Sequence, residues 1–224
     1  NCLTMEKDQI ENVFSKSLKA LEKGASDHLC ICGSYGQGKS HTLTYLNQLA
    51  LSQGYATSVV QLDLREIPFH QFSTVYRSIM EKLSLPDGLK FTNAWKNWAD
   101  KDSLGLLDTM PHRFRMTLTA MLCKPKRLSS LRKIPAYQPK EYGYWLDKAL
   151  MGYDIPTAHL RNICKYREVE GYRELSLICR GNESYFQMVQ SLGKVLKEMG
   201  YKGLLVFFDE AESIAQGRLG HRVK

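Results

Sequence analysis

Apolar residues recur along this chain at two spacings, and the alternation between them outlines a fold. In residues 5–23, Ile10, Val13, Phe14, Leu18 and Leu21 stand three and four apart, which predicts an amphipathic helix with Gly24 as its stop. Residues 28–32, HLCIC, read as a short buried strand. A glycine-rich loop comes next, then KSHTLTYLNQLALSQG, a helix closed by Gly54. YATSVVQLDL is a second strand ending near Asp63, and FHQFSTVYRSIMEKL sets Phe72, Val75, Tyr76, Ile79, Met80 and Leu83 along one helical face. Strand, loop, helix, strand, helix is the opening of an α/β fold with a parallel sheet.

The pattern changes between residues 86 and 181. Trp95 and Trp98 are three apart and predict a packed pair. Pro111, Pro125, Pro135, Pro139 and Pro156 divide this region into short pieces. A mainly helical insertion is expected there. Periodicity returns at NESYFQMVQSLGKVLKEMG, where Asn182 or Ser184 would cap a helix turning Phe186, Val189, Leu192, Val195, Leu196 and Met199 inward. The apolar run Leu204–Phe208 then suits a central strand covered on both faces, and it stops at Asp209 and Glu210. The expected organisation is thus a first half of the core over residues 1–85, a basic helical insertion over 86–181, and a second half over 182–224.

The loop between the first strand and its helix carries the most specific chemistry. Gly33, Ser34, Tyr35, Gly36, Gln37, Gly38, Lys39 and Ser40 fit G-x-x-x-x-G-K-[ST] without a gap. Glycines let successive backbone N–H groups turn inward as a nest for phosphate oxygens. The helix that starts there aims unpaired N–H groups at the same point, with His41 in its first turn. Lys39 is expected to reach the β- and γ-phosphates of ATP, and Ser40 Oγ to ligate Mg²⁺. A plain glycine turn would explain the glycines but not the Lys-Ser pair. Asp209 is the expected second holder of Mg²⁺, and Glu210 the group that polarises the attacking water. A helix-capping role for the acids is the bland alternative, and it weakens once they are paired with the loop.

Composition narrows the class further. No run approaches the roughly 18 apolar residues of a membrane span, and the first residues hold no apolar signal core, so a cytoplasmic protein is expected. The six cysteines form no C-x-x-C pair and read as reduced packing residues. The net charge of +8 is locally concentrated: residues 109–140 hold no Asp or Glu but contain Arg113, Arg115, Lys124, Lys126, Arg127, Arg132, Lys133 and Lys140. With the aromatic AYQPKEYGYW beside them, they raise a contact with DNA as an expectation. A solvated helix face or a protein-binding surface is the competing reading.

Together these motifs resemble the additional-strand P-loop ATPases of the broad AAA+ class. The loop with its flanks through REIPFHQFSTVYRSIMEKL, and GLLVFFDEAES, are more closely similar to the ATP-binding protein family associated with bacterial BREX phage-defence clusters. The resemblance implies ATP binding, ATP hydrolysis and work within a multi-protein, DNA-directed complex; ring assembly of copies is common in the wider class. An AAA+ core continues beyond its Walker B strand, whereas this sequence runs fourteen residues past Glu210, so the C-terminal part of the core is expected to be missing and turnover by this chain alone is open. Arg218 and Arg222 are conceivable phosphate contacts. Two alternatives stay open: a nucleic-acid-binding or scaffolding module with ATP as a structural ligand, and a DEAD/DEAH-like helicase. The second is disfavoured by about 170 residues between Lys39 and Asp209 without an intervening helicase motif.

Overall fold

The computed structural model describes residues 2–24, 26–100, 102–123 and 141–214. In chain order they form α1 (Cys2–Glu22), α2 (Lys39–Ser52), β1 (Ala56–Gln61), α3 (Phe72–Glu81), α4 (Phe91–Trp98), a 3₁₀ segment (Asp102–Thr109), α5 (His112–Leu122), α6 (Tyr142–Leu150), α7 (Thr157–Tyr166), α8 (Gly181–Glu198) and β2 (Leu204–Asp209). Between residues 86 and 180 the regular elements among the described residues are all helical, in line with the proline-broken, helix-period pattern there.

β1 and β2 run parallel in a two-stranded sheet, in register from Ala56 opposite Leu204 to Gln61 opposite Asp209. Helices cover both faces. Ala56, Val60, Leu204, Val206 and Phe208 turn toward the larger core with α3 and α8. Leu205, Phe207 and Val59 turn toward α1 and α2, where Phe14, Leu18, Leu46 and Ala50 are buried and the Phe14 and Phe207 rings lie 6.4 Å apart. The larger core does not stop at the sheet. It runs without a break from Val60 and Ile79 through Trp95 and Phe114 to Leu146 and Ile163, so α4–α7 are packed onto the α/β layer.

The expected strand over His28–Cys32 is not a strand among the described residues. Its residues belong to no regular element, are mostly exposed, and have no ladder partner among the described residues. Extended backbone becomes a strand only when its N–H and C=O groups are paired, so a strand-like sequence alone is insufficient. For the same reason β2, expected to be central, pairs on one side with β1, and most of its side chains stay only half-buried. Cys30 and Cys32, expected to pack, are exposed with sulfurs 3.6 Å apart, whereas Cys164 is buried.

α8 begins at Gly181 and turns Tyr185, Met188, Leu192, Val195 and Leu196 inward. Phe186, expected inside, is 48% exposed and instead meets Phe72 at 5.8 Å. Trp95 and Trp98 pack as expected, at 5.8 Å. No described helix is long and apolar enough to cross a membrane.

Candidate functional site

α2, the turn after it and β1 fix where the loop sits. α2 has 14 residues and β1 has 6, so each is about 20 Å long. The chain reverses between them at Gly54, whose carbonyl accepts from Lys202 N at 3.0 Å, while Ala56 N donates to Gly203 O at 3.0 Å. The C-terminal end of α2 therefore shares one edge of the layer with the start of β2. Its N-terminal end, at Lys39, lies a helix length away, and the opposite edge of the sheet is formed by the end of β2, at Asp209. Parallel pairing brings the end of β1 to that edge too: Leu62 N donates to Asp209 O at 3.0 Å.

The loop itself has the backbone that its glycines permit. Gly36 (φ 80°) and Gly38 (φ 81°) lie in the left-handed region, where a Cβ would be strained. Gly38 is the N-cap of α2 and no side chain caps that end, so the leading amides of the helix have no side-chain acceptor. Lys39 folds back over the loop, its Nζ donating to Gly33 O at 3.1 Å and Ser34 O at 3.3 Å. Gln37 also folds inward: its Oε1 accepts the Ser34 amide at 2.7 Å. Tyr35 stands fully exposed at the tip, and Ser40 and His41 are exposed on the first turn of α2.

At the facing strand end, Asp209 Oδ1 accepts the Glu210 amide at 2.9 Å. Glu210 takes φ 56°, a left-handed conformation unusual for a residue with a Cβ. Such a conformation costs about 1–2 kcal/mol and persists where the surroundings enforce it. Here Asp209 is pinned by the β1–β2 ladder on one side, and Ser213 N donates to Glu210 O at 3.0 Å on the other. Glu210 is exposed.

Sequence reading did not anticipate the part played by Asp63 at the neighbouring strand end. Its carboxylate accepts the amides of Arg65 (2.6 Å) and Glu66 (2.8 Å), and the Glu66 and Arg65 amide bonds hold it below the usual carboxylate range. It thus shapes the turn after β1. The Asp-x-x spacing before a loop is the signal for such a turn.

Only part of the basic stretch lies among the described residues. Arg113 is buried and donates to Tyr153 O, and Arg115 pairs with Asp108 at 2.7 Å. The first two cations of the stretch are thus engaged within the protein. Lys124, Lys126, Arg127, Arg132, Lys133 and Lys140 fall outside the described residues, as do Arg218 and Arg222. In the adjoining aromatic run, Tyr142 is buried and Tyr144 is exposed.

An uncapped helix start, two left-handed glycines and an ammonium over the loop are groups of the kind that take phosphate oxygens, and the exposed Ser40 hydroxyl beside them is an oxygen of the kind a cation takes. No group of three or more His, Cys, Asp or Glu side chains able to hold a metal occurs among the described residues, so a cation here would complete its shell with ligand and water oxygens. A family model described as "BREX system ATP-binding protein BrxC/D" matches residues 3–98 and 178–223. Those segments hold nearly all of α1, the loop, α2, both strands, α3, α4 and α8. No curated protein and no solved structure matches the chain.

Proposed function

The chain belongs to the family of BREX system ATP-binding proteins, and from that membership we propose that residues 33–40 grip the phosphates of ATP for hydrolysis. Support comes above all from the loop itself: the uncapped start of α2, two left-handed glycines and the Lys39 ammonium held over the loop carbonyls. In this reading the amides of Ser34 through His41 surround the phosphate chain, and the Lys39 ammonium leaves the loop carbonyls for phosphate oxygens. Ser40 Oγ and the Asp209 carboxylate hold Mg²⁺, which when bound neutralises charge on the terminal phosphates. Glu210, exposed and aimed by its left-handed backbone, accepts a proton from the attacking water.

The protein then acts as an ATP-driven motor or switch among the other proteins of a phage-defence system, with DNA as the polymer addressed through residues 109–140 and copies of the chain as further partners. The P-loop NTPase core is the fold this reading requires. Binding of a fluorescent ATP analogue and phosphate release, measured on the wild type, Lys39→Ala and Glu210→Gln, test it. Lys39→Ala loses binding; Glu210→Gln binds but does not turn over. Equal binding by Lys39→Ala and wild type overturns the assignment.

A further inference from the structure

The side chain of Gln37 occupies the mouth of the loop. Its Oε1 lies 2.7 Å from Ser34 N, and Gln37 N donates in return to Ser34 O at 3.3 Å. Ser34 is thereby bridged by one residue through both of its backbone polar groups. The Lys39 ammonium rests on the carbonyls of Gly33 and Ser34. Both kinds of group that would recognise a phosphate, an amide donor and a cation, are thus engaged within the loop itself.

Gly33 belongs to the same device. Its φ is not in the left-handed region, so its backbone does not demand glycine. A Cβ there would come within 2.8 Å of Gln37 Oε1, the free end of a flexible side chain, and would displace it. Glycine at this position leaves room for the Gln37 carboxamide.

We propose that the Gln37 carboxamide is an internal stand-in for a phosphate oxygen, holding the Ser34 amide between nucleotides and yielding it when ATP arrives. This rests on the reading of residues 33–40 as the phosphate site. An amide oxygen carries no net charge, so it satisfies the donor while remaining weaker than the phosphate that displaces it. Closing the loop this way keeps the nest from collapsing, at the cost of one hydrogen bond that must break on binding.

Gln37→Ala removes the competitor. It is expected to bind a fluorescent ATP analogue about two- to tenfold faster and tighter than wild type, the span of one net hydrogen bond. Gln37→Glu keeps the acceptor but adds a negative charge, and is expected to bind at least about tenfold more weakly. In nucleotide-free protein, hydrogen exchange at the Ser34 amide is expected to be slow in wild type and faster in both Gln37→Ala and Gly33→Ala, because a Cβ at residue 33 pushes the carboxamide out. Equal Ser34 exchange in wild type and Gln37→Ala overturns the proposal, as does Gln37→Ala binding no faster than wild type. If neither protein binds ATP while Ser34 exchange still depends on Gln37, the phosphate-site reading has failed and the stand-in role falls with it, leaving a contact that only tightens the loop.

Discussion

Asn182, in the first turn of α8, caps a helix other than its own. Its Oδ1 accepts the amide of Phe72 at 2.9 Å, 110 residues earlier in the chain, and its Nδ2 donates to His70 O at 2.8 Å. Phe72 opens α3, whose own N-cap residue, Gln71, gives no side-chain bond. One carboxamide therefore supplies the missing cap of α3 and ties the starts of α3 and α8 together.

Asn182→Ala leaves the Phe72 amide without its cap. The expected loss is about 1–2 kcal/mol, at the upper end for a cap because two bonds go together. Urea unfolding checks the magnitude. Amide exchange over the first turn of α3 should accelerate in the variant while the middle of α8 stays protected.

Glu210→Gly separates stability from chemistry. Relief of the left-handed strain is about 1–2 kcal/mol, and the extra freedom of glycine in the unfolded chain takes back about 0.5–1. A net gain of roughly 0.5–1 kcal/mol is expected, together with loss of turnover. Thermal unfolding and phosphate release on the same samples decide it: a lower melting temperature for Glu210→Gly would mean that φ 56° carries no strain.

Trp95 is the anchor of the helical part, with no exposed surface and its Nε1 donating to Leu118 O at 3.1 Å. Trp95→Ala should cost about 3–5 kcal/mol. Trp95→Phe keeps most of the volume and removes only the second bond to Leu118 O, which retains its partner within α5, for about 0.5–1.5 kcal/mol. Because the core is continuous from β1 to α7, the expected denaturant transition is single, monitored by tryptophan emission and by far-ultraviolet dichroism alike.

Alkaline stability should decline for a definite reason. Burial pushes the Cys164 thiol up to about 12, and burial also raises Tyr76 well above its ordinary range. A raised folded pKa favours the protonated form, so this stabilisation is complete below the unfolded pKa, about 8.5 for a thiol. It is lost as pH rises toward the folded value. Urea midpoints should fall between about pH 9 and 11, less steeply in Cys164→Ala. At pH 8 an alkylating probe should reach exposed Cys30 and Cys32 well before Cys164.

Much of this fold could be read from residue spacing. The helices with a 3.6-residue period, α1, α3 and α8, lie where the apolar positions put them, α2 lies between the glycine loop and Gly54 as expected, and the segments around Val59–Val60 and Leu204–Phe208 became the paired strands. What was not legible depends on contacts across the chain. His28–Cys32 has a strand's composition but no neighbour among the described residues to pair with. The inward face of α8 differs from expectation only in its first two turns, where Phe186 joins the Phe72 ring at the surface and Tyr185 packs beside Tyr76, while Leu192, Val195 and Leu196 are buried as expected. Asn182 has a capping residue's chemistry, but only the folded chain reveals that the helix it caps is α3. In the candidate site the glycines and Lys39 were legible from the motif. The fold-back of Gln37 was not, since any residue type satisfies that position of the pattern.

The pairing of Gln61 with Asp209 also sets a timetable. The two strands lie far apart in the sequence, so as the polypeptide leaves the ribosome the glycine loop and β1 emerge long before β2 and its acids. Helices α3 to α7 can form from local contacts, but the sheet must await the last strand. Until then the apolar flanks of β1 lack their partner, and a nascent or prematurely ended product would offer that bare edge to other chains.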